Sequence, residues 1–195
     1  MTEPMSKPPR ERAQSGTRER LIEAAAVEFN STGFHGTDTN KIARRAGFAP
    51  QTFYRHLTDK TDAFIAVYRE WQERERRQVV AAYEAPLDAG ERHVVVAEII
   101  LSAHREWRVF RRSLRLLAVE DDRVRQSRAD GRRAQLKALG QLYPDLAVRL
   151  TDGYAELLVI ERLCDAAADD EIVDMGIAEA DWTIQVAAAV RRLTS

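Results

Sequence analysis

The segment TDTNKIARRAGFAPQTFYRHLTDK, residues 37–60, restricts the possible folds of this chain more than any other stretch. Ile42, Ala43 and Ala46 recur at helical spacing, Gly47 follows, and Phe53 and Leu57 recur after Pro50. Ala43 is small enough to let a second helix cross closely. Four residues later, Gly47 supplies the positive φ of a tight turn. Pro50 suits a first helical position because it has no amide hydrogen to leave unpaired. The pattern predicts two short helices joined by a tight turn, a helix-turn-helix, the device that sets its second helix into the major groove of DNA. With Phe53 and Leu57 turned to the core, Gln51, Thr52, Tyr54, Arg55 and His56 share the outer face and its flanks. A row this polar does not suit a buried helix.

The flanks supply the support. Residues 1–15 are polar, hold Pro4, Pro8 and Pro9 with Lys7, Arg10 and Arg12, and read as a disordered basic arm, either an inert tail or a weak phosphate or minor-groove contact. A first helix is expected from about Thr17 to Thr32, with Leu21, Ile22, Ala25 and Phe29 on one face. Gly33 at its end suits the left-handed conformation, which lets Phe34 fold back onto Phe29. Thr37 is expected to cap the second helix by accepting from the Asn40 amide. Asp59 is expected to cap a fourth helix, about Lys60 to Tyr83, with Phe64, Val67, Tyr68 and Trp71 as its buried stripe. Its ERERR run, residues 73–77, reads as a solvated stretch with helical ion pairs.

The rest of the chain is expected to be a helical bundle, with helices near 90–105, 107–120, 122–140, 144–170 and 175–194. Breaks are expected at Gly90, at Glu120-Asp121-Asp122, at Gly140 with Pro144, and from Asp169-Asp170 onward. Val94-Val95-Val96 runs unbroken into further apolar residues and reads as helix. With 9 Gly and 6 Pro in 195 residues, the fold class is all-α: an N-terminal three-helix DNA-binding domain and a C-terminal helical bundle. The boundaries are 1–15 for the arm, 16–62 for the helix-turn-helix domain and 63–195 for the bundle.

Composition narrows the setting. Net charge is −1, but residues 1–83 carry 14 Lys+Arg against 11 Asp+Glu, so the N-terminal part has the sign that phosphate requires. No apolar stretch approaches the ~18 residues of a membrane span, the N-terminus lacks the apolar segment of a signal peptide, and one cysteine, Cys164, excludes an internal disulfide. A cytoplasmic chain is expected. Four His and one Cys show no metal-ligand spacing, and no cofactor is expected.

The ordered motifs of residues 17–68 resemble the TetR (tetracycline-repressor-like) family of bacterial regulators. TRERLIEAAAVEFNSTGFHGT is similar to that family's first helix and its entry to the second, IARRAG to its I-A-x-x-A-G signature, and TFYRHLTDK to its T-L-Y-x-H-F-x-x-K signature. Ala49 stands where Ser is common, Phe48 replaces a small aliphatic, and Phe53 and Leu57 exchange aromatic and aliphatic. The resemblance implies an all-α homodimeric repressor that binds a palindromic operator and is released when a small, largely apolar molecule enters the C-terminal bundle.

Sorted by physics, phosphate contacts are expected from Thr37, Thr39, Tyr54, His56 and Lys60, with Lys41 and Arg44 touching the backbone or solvating their helix. Base contacts are expected from Gln51, Thr52 and Arg55. For the ligand the candidates are His104, Trp107, Phe110, Arg111, Tyr143 and Tyr154. Arg108, Arg111, Arg112 and Arg115 form a basic face that is either solvated or turned to an anionic group. The dimer interface implied by the resemblance would use Leu150, Leu157, Trp182, Val186 and Val190. Two other classes were weighed. An enzyme is disfavoured because no nucleophile elbow, P-loop, dinucleotide fingerprint or metal cluster is present. A partner-binding protein that reuses the head without operator specificity would be distinguished by its failure to select one palindrome.

Overall fold

The computed structural model describes residues 9–143, 145–146 and 150–194, and gives the backbone alone for residues 9–15 and for Leu150. Among the described residues there are ten helices and no strand. In chain order they are α1 (Pro9–Thr32), α2 (Thr39–Arg45), α3 (Pro50–Tyr54), α4 (Lys60–Glu84), α5 (Ala89–Glu106), α6 (Arg108–Glu120), α7 (Asp122–Leu142), α8 (Leu150–Ala168), α9 (Glu171–Asp174) and α10 (Glu179–Thr194). The fold is all-α, as expected from a composition that favours helix. Two compact units divide between Tyr68 and Arg69, inside α4.

In the first unit, α1 buries Leu21, Ile22, Ala25 and Phe29, and α2 and α3 bury Ile42, Ala43 and Phe53. Gly33 takes φ +73 and its amide donates to Phe29 O at 3.0 Å, so the chain reverses and Phe34 stacks on Phe29 at 5.9 Å. Phe64 meets both rings edge-on, at 5.1 and 5.5 Å. Gly47 takes φ +77 in the turn between α2 and α3. Asp59 caps α4, its carboxylate accepting from the Asp62 amide at 2.8 Å.

Two expectations are corrected here. α1 begins at Pro9 rather than near Thr17, because proline has no donor to lose at a first position and the Arg, Glu and Ala that follow favour helix. The remainder of the expected arm, Met1–Pro8, lies outside the described residues. The cap of α2 is Asp38, not Thr37: the Asp38 carboxylate accepts from the Lys41 amide at 2.8 Å, while Thr37 turns inward.

In the second unit, α10 packs against α5 and α8 around a core that includes Val96, Ile100, Leu136, Leu157, Ile160, Val186 and Val190. A full capping box starts α5, with Asp88 and Glu91 each accepting from the other's amide. Asp121 separates α6 from α7 and accepts from the Arg123 amide. Gly140 does not break α7, which continues to Leu142 because a helix tolerates an interior glycine at a cost of about 1 kcal/mol. The break after α8 is sharp: Asp170 holds φ +66, a conformation that short polar side chains tolerate.

Candidate functional site

In the first unit, charged side chains fasten α2 at both ends. Arg20, on α1, donates to Ala46 O at 2.7 Å and lays its guanidinium 4.6 Å from the centre of the Phe48 ring. Glu28, also on α1 and buried, accepts from Arg45 Nε at 2.6 Å and from the Thr37 hydroxyl at 3.0 Å. The Arg45 bond, aided by Thr37, holds the Glu28 carboxyl below the usual carboxylate range despite its burial. Lys60 Nζ donates to Phe34 O at 2.9 Å and Thr37 O at 3.1 Å and sits 4.1 Å from the Phe34 ring centre. Burial lowers the Lys60 pKa. The sequence reading missed Glu28 and Arg20. Glu28 stands seven residues after Leu21, on the apolar face of α1, and a carboxylate there signals a buried ion pair.

The expected DNA-contacting residues divide into two groups. Gln51 and Arg55 are exposed and Thr52 and His56 half-buried, with Phe53 and Leu57 buried beneath them. Tyr54 is 59% exposed, and its hydroxyl lies 2.9 Å from Thr39 Oγ1, which joins the start of α2 to the end of α3. Lys41 and Arg44 are exposed, with Lys41 Nζ donating to Gly36 O at 3.1 Å. Thr37 and Lys60 stand apart. The Thr37 hydroxyl is buried on Glu28, and the Lys60 ammonium is directed at two carbonyls, so both hold the helix rather than line its outer face.

In the second unit, the basic face of α6 divides: Arg108 and Arg112 remain exposed to solvent, whereas Arg111 and Arg115 turn toward Asp165 of α8. Arg111 is buried, donates to Asp165 Oδ1 at 2.8 Å and lies 5.1 Å from the Trp71 ring centre. Arg115 Nη1 reaches the same oxygen at 2.9 Å and also pairs with Asp169. Arg112 pairs with Asp169 at 2.7 Å, and Arg108 lies 3.8 Å from Asp170. The acidic row Asp165, Asp169, Asp170 therefore pairs with all four arginines, three carboxylates against four guanidiniums. His104 Nδ1 lies 3.2 Å from Asp165 Oδ1. Burial, with Arg111 beside it, pushes the imidazole pKa down to about 4, so the ring is neutral. Burial pushes the Asp165 carboxyl up, but His104 and Arg111 outweigh it and hold the group well below the usual range.

Beside this centre is a cleft of about 310 Å3 whose lining includes Trp71, Arg74, Glu75, Glu98, Glu106 and Trp107. Glu75 corrects the reading of residues 73–77 as a solvated run: it follows Trp71 by one helical turn and is buried, although Glu73 and Arg76 do form the expected ion pair. Its Oε2 has no hydrogen-bond partner among the described residues, and burial raises its pKa to about 7. Of the expected ligand residues, Trp107 lines the cleft, and His104 and Arg111 belong to the polar centre behind it. Phe110 is wholly buried and meets Trp107 edge-on at 5.7 Å. Tyr143 and Tyr154 pack on the apolar core instead, Tyr143 edge-on to Tyr83 at 5.3 Å. The six are not brought together. Cys164 is buried, and burial pushes its thiol pKa up. Among the described residues no group of three or more His, Cys, Asp or Glu is placed to hold a metal, and no helix is long and apolar enough to cross a membrane.

Three of the expected dimer residues are taken up by the core of their own unit. Leu157, Val186 and Val190 are buried within their own unit, and Trp182 is half-buried with Nε1 donating to Leu163 O at 3.0 Å. The Leu150 side chain lies outside the described residues. The outward apolar residues of the same two helices are Leu158, Val159 and Ile184, which are 48%, 41% and 59% exposed.

Comparison with known proteins bears on both units. Residues 21–67 match the profile of the bacterial regulatory proteins, tetR family. Over 61 residues the chain is 34% identical to the HTH-type transcriptional regulator YdgC of Bacillus subtilis, a match that spans 31% of each chain, less than a third of that relative's length. Among solved structures, the fatty acid degradation regulator FadR from Bacillus halodurans aligns over 97% of both chains with TM-score 0.63 and 18% identity. The multidrug binding protein EbrR, solved with imidazole, aligns over 91% of this chain and 94% of its own with TM-score 0.65 and 19% identity. At these identities the structural likeness extends to the fold.

Proposed function

The chain is a member of the TetR family of bacterial regulatory proteins, and on that premise we propose that it is a transcriptional repressor. It grips a palindromic operator as a homodimer and lets go when a small molecule occupies the second unit. One observation carries the DNA half of this reading. Helix α3 buries Phe53 while Gln51 and Arg55 stand exposed and Thr52 half-exposed, and α2, which sets it in place, is held by Arg20, Glu28 and Lys60. In the proposed complex Gln51, Thr52 and Arg55 read base edges, Gln suiting adenine, the Thr methyl suiting thymine and Arg suiting guanine. The Thr39–Tyr54 hydroxyl pair, His56, Lys41 and Arg44 contact phosphate and set the register. Lys60 acts as a strut beneath them.

The homodimer reading is supported by Leu158, Val159 and Ile184, apolar side chains that face solvent on two helices already packed against each other. A two-fold contact through them pairs two reading heads and calls for an inverted-repeat site. The release reading is supported by the cleft at Trp71 and Trp107, and by EbrR, a protein of the same fold described as multidrug binding.

Enrichment of random duplexes on the purified protein, followed by footprinting, tests the proposal. An inverted repeat with half-sites about one or two helical turns apart is expected. Recovery of no consensus, with binding that fades equally for all sequences as salt rises, would leave only non-specific phosphate attraction and end the operator reading.

A further inference from the structure

We propose that the cleft at Trp71 and Trp107 binds an organic cation, a protonated or quaternary amine on a compact aromatic or alkyl body. This rests on the effector reading above and names the class of molecule. The cleft, at about 310 Å3, falls at the small end of the range for ligand pockets. Its walls hold three carboxylates, Glu75, Glu98 and Glu106, against one guanidinium, Arg74. Of its two tryptophans, Trp107 is half-exposed and offers an indole, the best aromatic partner for a positive charge, while Trp71 already carries the Arg111 guanidinium beside its ring.

Glu75 is the deciding residue. It is nine-tenths buried, and its Oε2 has no hydrogen-bond partner among the described residues. The cation that faces it, Arg111, is bonded at 2.8 Å to Asp165, and Glu161, whose charge Glu75 also feels, has the same sign. A buried carboxylate whose facing guanidinium is committed elsewhere is costly until a positive charge pairs with it. An anionic ligand would meet three carboxylates at this wall. A metal ion is disfavoured because the described residues offer no group of three ligands. An organic cation meets the charge at Glu75 and the Trp107 indole together.

The test uses the full chain and three probes of similar shape: benzyltrimethylammonium, its uncharged analogue neopentylbenzene, and the anion phenylmethanesulfonate. Binding is followed by calorimetry and by tryptophan fluorescence. The cation is expected to bind at least about tenfold more tightly than the hydrocarbon, and the sulfonate to be rejected. Glu75→Gln should abolish the preference for the cation and leave hydrocarbon binding within about twofold. Glu98→Gln, at an exposed position, should reduce the preference by a smaller factor and serves if the first variant does not fold. Equal affinity for cation and hydrocarbon would overturn the proposal while leaving a small-molecule cleft in place. Binding of none of the three would overturn it as well, and would remove the support that the cleft gives to release. A cation that binds as expected, yet leaves operator affinity unchanged, would uphold the ligand class and refute the release reading alone.

Discussion

Lys60→Met separates a strut from a phosphate contact. The Lys60 ammonium donates to two carbonyls, Phe34 O at 2.9 Å and Thr37 O at 3.1 Å, which flank the loop leading into α2. Hydrogen bonds from a charged donor contribute roughly 1.5–3 kcal/mol each, and the part-exposed setting reduces that toward the lower bound because water can replace the lost donor. Removing both should cost the first unit about 1 to 3 kcal/mol. If about half of that appears as local loosening of the entry to α2, the binding-competent fraction falls and operator affinity drops about threefold to tenfold. The factor should be the same at every salt concentration, because a strut releases no counterion. A phosphate contact behaves differently: its loss lowers the slope of log K against log salt by about 0.9. Two measurements decide between them, a salt titration of operator affinity and amide exchange across residues 39–45. Faster exchange with an unchanged slope is expected. Unchanged exchange with the full loss of slope would refute the strut and return Lys60 to the DNA backbone.

The remaining expectations concern the second unit. Asp165→Asn leaves Arg111 buried without its counter-charge and should destabilise the protein by about 3–5 kcal/mol in urea denaturation; a loss under 1 kcal/mol would mean that the pair is dispensable. Glu75 has a folded-state pKa raised from 4.5 to about 7, so its contribution to stability is full below pH 4.5 and is lost as pH rises through 7. Glu75→Gln, which cannot ionise, should therefore gain on the parent protein between pH 5 and pH 8, by about 1 to 3 kcal/mol at the upper end, and a pH-independent difference would contradict the burial argument. Ile184→Arg, placing a charge at a 59% exposed apolar position, should convert a dimer to monomers in sedimentation while leaving the helical signal intact; an unchanged dimer would put the interface elsewhere.

How legible each part was in the sequence follows from the range of the interactions that hold it. The reading head is local. Gly33, Gly47 and Pro50 act within a few residues of themselves, and the stripe Phe64, Val67, Tyr68 repeats at helical spacing, so periodicity and turn chemistry suffice to find them. Its errors come from longer reach: Thr37 looked like a cap because the next residues open a helix, but Glu28, nine residues earlier, takes its hydroxyl, and Asp38 is left to cap. In the second unit the deciding contacts join distant parts of the chain. Arg111 meets Asp165 across 54 residues, and Arg112 meets Asp169 across 57. No helical spacing within α6 distinguishes an arginine that will find such a partner from one that faces water, so the basic face read as solvated. Leu157 and Leu158 make the same point at one residue's distance: both are leucines on α8, but the first is core and the second faces outward, and the packing of neighbours such as α5 and α10 against α8 selects between them.

Glu75 stands between these cases. Its four-residue spacing from Trp71 was visible in the sequence and put it on the buried stripe, but the charges around it in ERERR argued for water. A helix can hold both patterns only if the buried acid is either protonated or paired. Arg111 is a cation whose charge acts on Glu75, and Asp165 has already taken it. The feature that made residue 75 hard to assign from sequence is thus the one that gives the cleft its chemical character: a buried carboxylate whose facing guanidinium, Arg111, is already bonded to another acid.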